Sequence, residues 1–265
     1  MPPTLHFAVG SDIGRRRSMN QDSGCSSPRL LAVADGMGGH AHGEVASAIA
    51  IAELATMDVA LRDGGLVGAD LLGELRKAVA RAAARLTDEA AQNPELRGAG
   101  TTVVAMLVDG TRAGIVHIGD SRAYLLRDGE LVRLTRDHTL VQALVDEGRI
   151  SAEEAADHPR RSVLVRTLQA GGHDEPDLFS REVSVGDRYL LCSDGVTAVL
   201  SDADLHDVLT SLAEPTEVVD RLIELANAGG GPDNITCVIA DVVESEADGR
   251  VGPTEPVVVG AAAAI

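Results

Sequence analysis

Apolar and polar positions change period several times along the chain. Residues 5–12 (LHFAVGSD) and 29–35 (RLLAVAD) are short, mostly apolar runs, the second closing on Asp-Gly, and both predict strands. Residues 44–57 (EVASAIAIAELATM) and 70–92 carry Ala and Leu at helical spacing and predict helices, with a Gly-rich loop between them and a break from Asn93 to Gly100. The pattern then shortens. Residues 101–108, 112–118, 122–126 and 131–134 predict strands joined by Asp-Gly or Gly-Asp turns, with Asp128-Gly129 as a hairpin signal. Two short helices are expected over 138–157 and an irregular segment over 158–170. A strand at 189–192 ends on Ser193-Asp194-Gly195. Helices at 202–212 and 215–227, a sharp loop at Gly229–Pro232 and a last strand at 234–242 complete the pattern. Meandering strands with paired helices predict an α+β fold rather than a βαβ repeat. No linker interrupts 5–242, so one domain is expected over 1–243. Residues 244–265 are polar, then Gly/Pro/Ala-rich, and predict a flexible tail or the start of a linker.

Composition sharpens this picture. The 265 residues include four aromatics, so the core must be built from Ala, Val, Leu and Ile. A net charge of −18 argues against nucleic-acid binding, which needs a basic face, and suits divalent cations. Cys25, Cys192 and Cys237 are widely spaced without a CxxC, so neither a zinc site nor a disulfide framework is expected and a reducing, cytoplasmic setting fits. All three read as small apolar core residues. The N-terminus lacks the apolar segment of a signal peptide, and no run of about 18 apolar residues is present.

Five acidic residues flank predicted strands or turns: Asp22, Asp35, Asp120, Asp194 and Asp233. Carboxylates are hard oxygen ligands of the kind that hold Mg²⁺ or Mn²⁺. Any single Asp-Gly also reads as an ordinary turn dipeptide. Five together at strand ends favour a cluster. Arg17, in the triplet Arg15-Arg16-Arg17, is suited to clamp a phosphate, although alone it also reads as a solvated charge. Gly36-Met37-Gly38-Gly39-His40-Ala41 fits the outline of a dinucleotide fingerprint, but the acid 17 residues after Gly36, Glu53, falls inside a helix.

The ordered segments Ser11-Asp12-Ile13-Gly14, Asn20-Gln21-Asp22, Asp35-Gly36-Met37-Gly38-Gly39-His40, Gly100-Thr101-Thr102, His117-Ile118-Gly119-Asp120-Ser121-Arg122, Cys192-Ser193-Asp194-Gly195 and Gly231-Pro232-Asp233-Asn234 resemble the PPM (PP2C-like) metal-dependent protein Ser/Thr phosphatases. The nearest likeness is to bacterial, especially actinobacterial, members that oppose eukaryotic-type Ser/Thr kinases. The resemblance implies a four-layer α-β-β-α sandwich with metals at one end. It implies hydrolysis of phosphoserine and phosphothreonine on proteins by a hydroxide held between two Mn²⁺ or Mg²⁺ ions, with a third metal in bacterial members. Asp35 would bridge the two core ions, the Gly36 carbonyl would bind one, and Asp194 and Asp233 would complete the first shell. Asp22 would hold metal-bound waters. Asp120, with Asp194 and the backbone near Ser162, would hold the third ion. Arg17 would bind the phosphate, and residues 145–168 would form a flap. Phosphoproteins, Ser/Thr kinases among them, are the partners it implies. A monomer, itself the cytoplasmic part of a longer membrane-anchored protein, is expected.

Two departures matter. Met37 stands where many animal relatives carry a histidine proposed as general acid. Bacterial relatives often share this Met and carry a histidine at the His40 position, so the resemblance implies a leaving-group or phosphate-contact role for His40, which also reads as a structural loop histidine. Gln21 stands where many relatives have an acid, and a neutral side chain there is expected to weaken metal affinity. The rival readings are a non-catalytic phosphoprotein-binding module on the same fold and a nucleotide-binding oxidoreductase.

Overall fold

The central strands of this chain bury both faces, and the alternation along them separates three cores. In the computed structural model, which describes residues 3–38, 42–64, 66, 68–244 and 255–264, the strands in chain order are β1 Thr4–Asp12, β2 Asp22–Ser26, β3 Leu30–Met37, β4 Gly100–Thr101, β5 Val103–Val108, β6 Arg112–Ile118, β7 Arg122–Arg127, β8 Glu130–Arg133, β9 Leu168–Gln169, β10 Asp177–Glu182, β11 Arg188–Cys192, β12 Ile235–Val243 and β13 Val257–Gly260. The helices are α1 Gly43–Gly64, α2 Leu71–Gln92, α3 Leu140–Asp146, α4 Ala152–Ala156, α5 Asp194–Thr197, α6 Asp202–Ser211 and α7 Pro215–Ala228. One sheet runs β1-β12-β11-β7-β8. The other runs β10-β6-β5-β3-β2-β13, with β4 paired to β3 and β9 paired to β4.

On β3, Leu30, Ala32 and Ala34 join α1 and α2 in one core, while Leu31 and Val33 face the opposite sheet. On β12, Ile235, Cys237 and Ile239 pack with α6 and α7, while Val238, Ala240 and Val242 point inward. A side-chain period of two therefore builds the expected four layers, α-β-β-α. Leu75, Val79, Ala82 and Leu86 supply the buried stripe of α2, whose first turn is capped by Asp70 accepting from Gly73 N at 3.0 Å. The 128–129 hairpin forms as expected: Asp128 and Gly129 have φ of 54° and 79°, the left-handed pair that suits a two-residue turn.

Three elements depart from the pattern read from the sequence. β2 (DSGCS) is wholly buried yet too polar to read as a strand, and β10 (DLFSRE) hides as an edge strand pairing with β6. Beyond residue 243, where a structureless tail is expected, Val257–Gly260 form β13 on the exposed side of β2, and the following Ala261 is buried. A short Val-rich run needs only an open strand edge to order it. The dinucleotide outline also fails structurally, because β3 pairs antiparallel with both β2 and β5 and no parallel βαβ crossover surrounds it. Among the described residues no helix is long and apolar enough to cross a membrane.

Candidate metal centre

β3, β6 and β11 end at one edge of the sandwich, where β2 and β12 begin, so their flanking aspartates converge. Asp22 and Asp35 are direct cross-strand partners on β2 and β3. Like charges in that relation repel, and burial removes the water that would screen them. Asp35, Asp120, Asp194 and Asp233 line a cleft of about 540 Å³ together with Arg17, Gly36 and Ser162. Asp22 lies fully buried among these groups. Thus the structure brings together every sequence-predicted site residue that it describes; His40 lies outside the described residues.

The electrostatics show strain in this arrangement. Burial pushes Asp22 up to about 7 and Asp120 up to about 7, with Asp194 raising each further. Asp194 is pushed to about 6, by burial and then by Asp233. Asp35 is held well above the usual carboxylate range, by burial and then by Asp22 and Asp194. Asp22 Oδ1 and Asp194 Oδ1 are buried with no hydrogen-bond partner. Arg17 is the cation over the group: its Nη2 donates to Asp233 Oδ2 at 2.6 Å, which is the main cause of its raised basicity, and half of its side chain remains exposed. One guanidinium does not offset this many carboxylates. Orphaned oxygens and an all-oxygen donor set fit hard divalent cations.

Backbone packing holds the cluster. A side-chain carbon on Gly36 would lie 2.1 Å from the Gly43 carbonyl oxygen and 2.5 Å from that of Gln21, so only glycine lets β3 pass this close to the start of α1. Several supporting groups carry no role in the sequence reading. Ser193 Oγ donates to Asp22 Oδ2 at 2.7 Å. Thr102 Oγ1 accepts from Asp35 N at 3.0 Å and pairs with Ser121 Oγ at 2.6 Å. Asn234 Nδ2 donates to Ile13 O and Met19 O at 2.9 and 3.0 Å while its Oδ1 accepts from Gln21 N at 2.9 Å. That single amide fixes both ends of the loop carrying Arg17. The available signal was position: each is a small polar residue within two positions of a strand-end motif.

Gln21 has a partner the sequence did not suggest. Its Nε2 donates to Glu44 Oε2 at 2.9 Å, which turns its amide oxygen away from that carboxylate. Gln21→Glu alone is therefore expected to destabilise the chain by about 1 kcal/mol, through repulsion with Glu44. Adding Glu44→Gln should restore most of the loss. Urea unfolding of the two variants in EDTA measures both. The three cysteines are buried and free, and burial pushes the thiols of Cys25 and Cys192 up to about 12, as small core residues require.

A buried carboxylate cage capped by one arginine defines a centre for divalent cations and an anionic group. Residues 9–230 match the family described as Protein phosphatase 2C. The chain is 50% identical over 258 residues to the serine/threonine protein phosphatase PstP of Mycobacterium tuberculosis, covering 97% of this chain and 48% of that protein. It thus spans about half the length of that relative. The crystal structure of the Mycobacterium tuberculosis serine/threonine phosphatase PstP/Ppp superposes with a TM-score of 0.86 at 51% identity, over 91% of this chain and 100% of that one. The PstP catalytic domain in complex with two manganese ions superposes with a TM-score of 0.83 at 49% identity, over 91% and 100%. The chain belongs to the protein phosphatase 2C family.

Proposed function

We propose that this chain hydrolyses phosphoserine and phosphothreonine on proteins in a metal-dependent reaction. The observation that carries the reading is the convergence of Asp22, Asp35, Asp120, Asp194 and Asp233 beneath one arginine in a chain of this family. Asp35, the Gly36 carbonyl, Asp194 and Asp233 are assigned to two Mn²⁺ or Mg²⁺ ions, with Asp22 holding their waters. Asp120, Asp194 and the backbone at Ser162 are assigned to a third ion. Bound divalent ions supply positive charge that makes a water acidic and neutralises phosphoryl oxygens.

The chain's own residues do the rest. Arg17, anchored on Asp233 with half of its side chain exposed, holds two phosphoryl oxygens and sets the phosphorus in line for attack. Ser193 fixes the Asp22 carboxylate and Thr102 the Asp35 backbone, so that little reorganisation is needed during the reaction. Ser162, Leu164, Val165 and Thr167 wall the cleft and set which phosphopeptides enter. His40 is assigned to the leaving oxygen or a phosphate contact. Free buried thiols and the resemblance of the sequence motifs support a cytoplasmic catalytic unit acting on Ser/Thr kinases and their substrates.

Turnover of a phosphothreonine peptide in Mn²⁺ and in excess EDTA tests the reading. Activity should require the metal. Arg17→Ala should raise KM by roughly tenfold to a hundredfold and lower kcat, with Arg17→Lys recovering part of the loss. Folded protein inactive with Mn²⁺, Mg²⁺ and Co²⁺ would move the reading to a phosphoprotein-binding module.

A further inference from the structure

The strongest cluster outside the cleft joins β6, β10 and the loop after β8. His117 and Asp177 are cross-strand partners, and His138 enters beside them. The two imidazoles are 1% and 7% exposed, with ring centres 4.6 Å apart. One ligand atom from each of His117, His138 and Asp177 lies within 4.8 Å of the other two. Neither ring nitrogen of His117 meets a hydrogen-bond partner in good geometry, and the Ser121 backbone influences it only weakly.

Proton bookkeeping around His138 is unusual. Its Nδ1 accepts from Gly119 N at 3.1 Å, so a neutral ring carries its hydrogen on Nε2. That hydrogen points to Asp177 Oδ2, 3.1 Å away. Arg166 Nη1 also stands 2.9 Å from Nε2, a donor with no lone pair to meet. Arg166 holds its place through Asp177 Oδ1 at 2.9 Å and the Glu175 carbonyl. A cation therefore already sits here, but one that cannot use the imidazole. Burial holds His138 below the usual histidine range and His117 down at about 4, so both rings are neutral, as ligands must be.

We propose that His117, His138 Nε2 and Asp177 form a second cation site, which takes a borderline transition metal such as Zn²⁺ in exchange for Arg166. Two imidazoles and one carboxylate suit Zn²⁺, whereas the cleft offers only oxygens. Binding releases the Nε2 hydrogen to solvent as a proton, gives its electron pair to the metal and frees the guanidinium. Asp177, whose side chain is 47% exposed, opens the route in. Because Arg166 lies between Val165 and Thr167 of the cleft wall, its release loosens that wall. The site stands whether or not the cleft is catalytic.

The test uses Co²⁺ alone, added to the full chain without a histidine tag and read by visible absorption. Nitrogen-ligated Co²⁺ of low coordination number absorbs strongly, while octahedral oxygen-ligated Co²⁺ absorbs weakly. One equivalent should give strong bands in the wild type. The bands should persist in Asp194→Asn and vanish in His117→Gln and Asp177→Asn. In Arg166→Ala, which lacks the competing cation, they should reach half-saturation at roughly fivefold lower free Co²⁺. Asp177→Asn alters a partly exposed residue, so it decides the matter even if the buried His117→Gln fails to fold. Absent bands in both wild type and Arg166→Ala, or undiminished bands in folded Asp177→Asn, would overturn the proposal.

Discussion

Asp194→Asn is expected to lower turnover of a phosphothreonine peptide by more than about a hundredfold and, at the same time, to stabilise the metal-free protein. The two effects share one cause. Asp194 is buried, its Oδ1 has no partner, and it faces Asp233 and Asp35. Without metal that charge is a cost, and an amide of the same shape removes it, with a gain of about 1–2 kcal/mol at neutral pH. With metal the same carboxylate is a ligand. Groups that merely orient ligands cost 10–100-fold when removed, so a ligand itself should exceed that range. Calorimetric melting in EDTA gives the stability arm, and Mn²⁺ titration with peptide turnover gives the other. Lower apo stability in the variant, or activity within about tenfold of wild type, would remove Asp194 from the proposed centre. Asp35→Asn should behave in the same way, since Asp35 feels Asp22, Asp194, Asp120 and Asp233 together.

Much of the fold was legible because most strands obey a simple rule. β3, β5 and β12 alternate between two apolar environments, and apolar runs of that length between turn residues have few other solutions. β2 was not legible, because Asp22-Ser23-Gly24-Cys25-Ser26 is buried by its neighbours rather than by its own hydrophobicity. Its polar atoms find partners far along the chain, as when Ser193 Oγ meets Asp22 and Ser47 Oγ meets Ser23. β13 was hidden for a related reason: its order depends on the free edge of β2, itself unread. The carboxylates of the centre were legible from type and position, since five aspartates flank strand ends and three of them, Asp35, Asp120 and Asp194, adjoin a glycine. Their supports were not. Nothing local to Asn234 says that its amide will hold Ile13, Met19 and Gln21 at once, and nothing local to Gln21 says that it will meet Glu44.

Metal-free protein should lose stability as pH rises from about 5 to about 7, the reverse of ordinary acid unfolding. Asp22, Asp120 and Asp194 have their native values raised to about 7, 7 and 6 from an ordinary value of 3.8. Within that window the native state binds more protons than the unfolded chain, so each rise in pH favours unfolding. A single carboxyl moved from its ordinary value to about 7 costs the native state about 4 kcal/mol once it is forced to ionise. Asp109, Asp177 and Asp187 act in the opposite sense. Against burial, arginine and backbone partners hold Asp109 and Asp187, and His138 and then Arg166 hold Asp177, below the ordinary value, so their contribution is present above about 4 and is lost in stronger acid. The balance predicts maximal apo stability near pH 5. Saturating Mn²⁺ should abolish the decline toward neutrality, because the ion takes the place of the protons, and Tm at pH 7.5 should rise with Mn²⁺ concentration by mass action. Thermal melts from pH 4 to 8 in EDTA and in Mn²⁺ measure both slopes. A flat or rising apo profile between pH 5 and 7 would mean that these carboxylates already ionise freely, and the repulsion that makes the cleft a cation trap would be absent.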